Sequence, residues 1–305
     1  MNTVSDGQTI TLISDIAGGG FVVNDKDGMS YIIDLNGYTI SSDSWWTILT
    51  VESGTATIKD GSIINLNDVD PEKNEDGTLD YNTALWVECK ANLSNLNIIS
   101  NGKGATSLYV SGSDKVTMSD CKVEATEQDF DDQLFAMAAL FSKDSSVSAT
   151  KCEFYANEGE RAIETNGKTV LNNCKASAKD FSIIAFEGSN VQIKKGTYKS
   201  CIRIEEKAKA TINDGYFKDA EVPLIVKGTA TIKVGKFYGA DNAVYVDGGK
   251  VTVKKGYFSA SSGKAWASTK YAKQLDKVFK ISKGSKVAQS KWKTGNLSTI
   301  SVKIK

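Results

Sequence analysis

The chain has no histidine, two prolines and two arginines, Arg161 and Arg203, among its 305 residues. The missing histidine removes Ser-His-Asp relays, imidazole acid-base chemistry and nearly all zinc sites. The scarcity of proline argues against a proline-rich linker. No apolar run approaches the roughly 18 residues that a bilayer span needs. Residues 1 to 20 lack a basic start followed by an apolar stretch, so nothing in the chain reads as an export signal or an anchor. Lysine with almost no arginine and no paired aromatics argues against specific nucleic-acid readout. What is present is ample core material: 40% of the residues are apolar, enough to bury a large interior at this length.

That material is periodic. The segments Val191–Tyr198, Ala210–Phe217, Ala230–Phe237 and Val251–Phe258 repeat one pattern, with glycines at 196, 215, 235 and 256. Such a spacing is too short for a βαβ unit and fits one turn of a solenoid. Followed backwards, the glycine slot is held by Cys174, Cys152, Cys121, Leu96 and Gly61. Two residues after each slot an inward row is expected: Ile63, Ile98, Val123, Phe154, Ala176, Tyr198, Phe217, Phe237 and Phe258. Stacked at the strand spacing of about 4.8 Å, it becomes an internal ladder with an aromatic C-terminal half. Triplets such as Leu85-Trp86-Val87, Leu108-Tyr109-Val110, Ala139-Leu140-Phe141 and Ile202-Arg203-Ile204 supply another strand per turn, outer members inside and middle members outside. The fold expected is an all-β parallel β-helix of about 20-residue coils, one domain over 1–305. Residues 1–40 would form the N-terminal cap and first coil, 41–262 the coils and 263–305 the C-terminal cap. In that cap Ser268 would start a helix with Tyr271, Leu275, Val278 and Phe279 at helical spacing, to about residue 280. The cysteines at 121, 152 and 174 read as small buried apolar residues, since Cys152 and Cys174 are within reach of each other but the third is left over.

Asp34-Leu35-Asn36-Gly37-Tyr38-Thr39-Ile40, the Thr-Ile-x-x-Gly-x-Phe units and a lysine-rich end resemble the right-handed, pectate-lyase-like β-helical modules of large surface proteins in Gram-positive anaerobes. The resemblance implies an extracellular setting and a carbohydrate-associated or adhesive role, and it brings no catalytic residue. Polygalacturonase-type helices carry a paired-Asp, a Gly-His-Asp and an Arg-Ile-Lys motif. Here Asp131-Asp132 alone matches the first, the second is absent, and Arg203-Ile204 is followed by Glu205. A lyase with Arg203 as base is the enzyme reading, and a strand arginine paired with Glu205 or Glu164 is the plainer one.

The candidate ligand face lies in the N-terminal half. Residues 65–82 and 124–137 read as insertions leaving the coil at one corner, with outward Trp86 and Tyr109 between them and Leu140 next in the row. Stacked rings can cover the apolar faces of sugars while carboxylates such as Asp131 and Asp132 take hydroxyls. The alternative is a ring ladder that only stabilises neighbouring strands. The first insertion also approximates a calcium loop, with Glu72, Asn74, Asp76 and Asp80 as ligands, although Glu replaces the leading Asp and Thr83 stands where a closing carboxylate belongs. An acidic solvated loop is the plainer reading of this segment, and no cofactor is expected beyond a calcium ion held there.

Charge is segregated along the chain. Residues 1–140 carry 22 acids and 7 bases, and residues 141–305 carry 15 acids and 30 bases. Sequence order is axial order in a solenoid, so a rod with one acidic and one basic end is expected. The basic end suits a glycan, an anionic cell-wall polymer or the acidic end of another copy, head to tail. The leading expectation is a non-enzymatic surface β-helix presenting a carbohydrate-binding or adhesive face, extracellular, at a cell surface or on a virion. The alternatives are a phage or virion structural or receptor-binding protein and a polysaccharide lyase or hydrolase.

Overall fold

The computed structural model describes residues 6–24, 28–44, 46–67, 82–102, 104–112, 115–126, 138–157, 161–268, 275–285, 287–289 and 301–305. The chain winds as a parallel β-solenoid of about ten turns, each contributing to three sheets. The first sheet runs through Thr9–Thr11, Ser30–Asp34 and their successors to Phe279–Ile281. The second runs through Ile16–Ala17 and Thr39–Ser42 to Gly256–Ala260. The third runs through Phe21–Val23 and Thr47–Val51 to Lys264–Ser268. Residues 9–23, within the span expected to hold the cap and first coil, already form three strands in register with the next turn.

The inward row is the spine of the second sheet. Ile63, Ile98, Val123, Phe154, Ala176, Tyr198, Phe217, Phe237 and Phe258 pair in that order. All are buried. Tyr198, Phe217, Phe237 and Phe258 stack nearly parallel, with centroid separations of 5.4, 4.4 and 5.1 Å. Trp266 meets the last ring edge-on and stacks on Phe279 at 4.7 Å, so the aromatic column turns a corner into the final coil.

The glycine slot has a steric cause. A Cβ at Gly215 or Gly235 would lie 2.7 Å from the ring of the phenylalanine two residues on, because that ring folds back over the glycine. The corner is built differently in the two halves. Where the slot holds Leu96, Cys121, Cys152 or Cys174, the residue before it (Asn95, Asp120, Lys151 or Asn173) is left-handed, with φ between 51° and 55°. Asn and Asp tolerate this conformation better than other side chains. At Gly196, Gly215 and Gly256 the positive φ moves onto the glycine itself, 154° at the first two and 159° at the third, whereas Gly235 keeps its φ outside that region.

Two expectations are corrected. The capping helix from Ser268 to about residue 280 is replaced, among the described residues, by strand Lys264–Ser268, a single 3-10 turn at Leu275–Lys277 and strand Phe279–Ile281. Phe279 pairs with Val251 and is buried, so ladder pairing and the Trp266 stack outweigh a weak helical pattern. The open edge is blunted by Ser301–Ile304, antiparallel to the strand Gly256–Ala260 and to Val287–Gln289. Leu140 is also misplaced by the triplet reading: it pairs with Leu108 and Ile163 and is fully buried, while Phe141 takes the outward place beside Tyr109. Ser142 fills the inward position held by Val110 one coil earlier, which conceals the strand's phase in the sequence.

Candidate functional site

The third sheet carries the expected ring row. Its outward residues in register are Trp86, Tyr109, Phe141, Glu164, Ile184 and Arg203. Trp86 and Tyr109 meet edge to face, centroids 4.9 Å apart, and Tyr109 and Phe141 lie 5.2 Å apart. Tyr109 is only 7% exposed, whereas Trp86 and Phe141 are half-buried. The outward period is therefore right for Tyr109, but its ring serves mainly as the spacer between two accessible neighbours. The indole Nε1 of Trp86 donates to Ser111 Oγ at 3.1 Å, and that hydroxyl donates to Glu88 Oε1 at 3.4 Å. A ring, a hydroxyl and a carboxylate thus stand together at one end of the row.

Arg203 shares the row but not the place. Five coil steps of about 4.8 Å separate it from Trp86, and the structure does not bring the two together. Its guanidinium forms an ion pair with Glu205, which Lys227 also contacts at 3.3 Å, and it lies 5.7 Å from the centre of the Phe181 ring. The plainer reading of Arg203 therefore matches its surroundings. Arg161 Nη1 contacts Glu164 Oε2 at 2.8 Å, and Glu164 is 5% exposed. Burial pushes the Glu164 acid up, and the pull of Arg161 opposes it.

Asp131 and Asp132 and the loop ligands Glu72, Asn74, Asp76 and Asp80 lie outside the described residues. The described strands do reach both insertions at one corner, since Asn65, Ser100 and Ala125 are in register. Among the described residues no group of three His, Cys, Asp or Glu side chains could hold a metal ion.

The cysteines at 121, 152 and 174 stack in register and are buried free thiols. Cys121 Sγ donates to the Ser119 carbonyl at 3.3 Å and Cys174 Sγ to the Ala149 carbonyl at 3.4 Å. The neighbouring Cys152 sulfur and burial both push the Cys121 and Cys174 thiols up. They act as core, as the sequence suggests.

Sequence reasoning missed the outward side of the second sheet. Tyr216, Lys236, Tyr257 and Lys303 alternate there strand by strand, the last on the antiparallel edge strand, and Tyr238 lies in the adjacent outward row. The signal was available in the repeats themselves: residues flanking the inward Phe217, Phe237 and Phe258 must point outward.

A parallel solenoid with ring-bearing outer faces defines a class of repeat scaffolds that present long regular surfaces. The chain belongs to the right-handed β-helix family: the model described as right handed beta helix region matches residues 81–236. No curated protein and no solved structure matches the chain significantly.

Proposed function

We propose that the chain is a non-enzymatic β-helix that presents a carbohydrate-binding or adhesive face on the outside of a cell. The observation that carries this reading is the outward row Trp86, Tyr109 and Phe141, with Ser111 and Glu88 at its end. An outward strand position needs no ring to fold, and a half-buried indole beside a hydroxyl and a carboxylate suits a sugar that offers one apolar face and several hydroxyls. The pairing of Arg203 with Glu205 and of Arg161 with Glu164 speaks for structural ion pairs on this sheet. Asp131 and Asp132, on the second insertion, are the proposed acidic flank, and a glycan or an anionic cell-wall polymer is the proposed partner.

A glycan array with the intact chain, followed by tryptophan fluorescence titration of the glycans retained, tests the reading. Binding is expected to quench the emission, to persist in moderate salt because stacking is not ionic, and to vanish in Trp86→Ala with the melting temperature unchanged. Unaltered affinity in that variant would remove the site from this sheet.

A further inference from the structure

The second sheet presents a different surface on the basic half of the molecule. Its outer row reads Tyr216, Lys236 and Tyr257, one residue per coil, and then Lys303 on the antiparallel edge strand. Rings and cations therefore alternate along the axis in steps of about 4.8 Å. Tyr238, in the neighbouring row, wedges between the two tyrosines: its centroid is 5.1 Å from that of Tyr216 and 5.5 Å from that of Tyr257. Tyr216 is 38% exposed and borders a cleft on either side. The first, of about 380 Å³, holds Lys175, Lys195, Lys236 and Asp214, and the second, of about 520 Å³, holds Lys218, Tyr238, Asp219 and Glu221. Among the described residues neither Lys195 nor Lys236 has an acidic partner within ion-pair distance, whereas Lys175 faces Glu153 and Lys218 faces Asp219.

We propose that this face is a second binding site, for an anionic polysaccharide whose sugar faces lie on Tyr216, Tyr238 and Tyr257 and whose acidic groups meet Lys195 and Lys236. The argument is one of complementarity. A neutral glycan would leave two cations unanswered, and a compact anion would not use three rings that span two coil steps. A chain of sugars bearing sulfate or carboxylate groups repeats both features along one direction, as this row does. The site is separate from the Trp86 row, on another sheet and with Lys195 and Lys236 where that row has Glu88, so either can fail alone.

Calorimetric titration of the intact chain with dextran sulfate, against unsubstituted dextran of the same length, provides the test. Dextran sulfate is expected to bind and dextran to bind at least about tenfold more weakly. Tyr216→Ala with Tyr238→Ala should weaken dextran sulfate by about tenfold or more, and Lys195→Gln with Lys236→Gln should weaken it and flatten its salt dependence. Lys280→Gln with Lys283→Gln, in the C-terminal cap, and Trp86→Ala should leave it in place. If the tyrosine pair lowers the melting temperature, the exposed Tyr216→Ala alone and the lysine pair carry the test. No binding, affinity unchanged in the tyrosine and lysine variants, or loss in the cap or Trp86 variants would overturn the proposal. That last loss would still leave the reading of the Trp86 row standing.

Discussion

Truncating Phe237 probes the inner ladder where its geometry is tightest. The ring is fully buried, stacked at 4.4 Å on Phe217 and 5.1 Å on Phe258, and lies over Gly235. Phe237→Ala should cost about 3–5 kcal/mol, because the rings above and below are held by their own coils and cannot close the gap. Gly235→Ala should be destabilising by about 1–3 kcal/mol, since its Cβ would sit 2.7 Å from Cε2 of a ring that two stacked neighbours keep from moving. The two effects share one cause, so they must not add. In the double variant the new methyl occupies space the ring has left, and Gly235→Ala becomes nearly neutral or favourable. Denaturant unfolding followed by the emission of Trp266, which abuts Phe258 at 5.3 Å, reads the C-terminal coils where this happens. A repeat array can lose end coils first, so the cycle should be evaluated on that transition alone. A cost below about 1 kcal/mol for Phe237→Ala, or strictly additive energies in the double variant, would refute the account of the glycine slot.

Burial pushes the Cys201 thiol up to about 12 from an ordinary value of 9.0. An acid with a raised folded pKa stabilises fully below its unfolded pKa and loses that contribution as pH rises through the folded one. The denaturant midpoint should therefore fall between about pH 9 and 12, and Cys201→Ala should make that fall shallower. If the segment with Glu72, Asn74, Asp76 and Asp80 binds calcium, millimolar Ca²⁺ should raise the melting temperature, and Asp76→Ala with Asp80→Ala should abolish the shift; a shift that survives places the ion elsewhere.

Much of the architecture is legible because one constraint repeats. A residue two places after a slot must point inward in every coil, and nine coils in register left little freedom for Ile63 through Phe258. The phase was lost where that redundancy ended. Ser142 stands in an inward position usually filled by valine or isoleucine, so Leu140 read as outward. At the C-terminus Leu275, Val278 and Phe279 fit a helix by spacing alone, and only the pairing of Phe279 with Val251 decides against it. The candidate site is less legible than the fold, because alternation says which side a residue faces and not whether a neighbour covers it. Tyr109 is the example: outward by period, yet closed over by the rings beside it. Arg203 shows the converse, since Glu205 two residues on already named its partner.

The change of corner at Gly196 has a consequence for length. From there on, each turn places a glycine two residues before an inward aromatic ring, Tyr198, Phe217, Phe237 or Phe258, so the inward face of a turn is an interchangeable part. A second copy of residues 210–229 spliced after residue 229 would meet matching surfaces above and below, and should lengthen the molecule by one step of about 4.8 Å. The earlier turns offer no such part, because behind the left-handed corners at Asp120, Lys151 and Asn173 the inward residue changes from Val123 to Phe154 to Ala176. Growth by duplication is thus open to the turns from Gly196 onward and closed to those before it, and any ligand row carried on the second sheet there would grow with it.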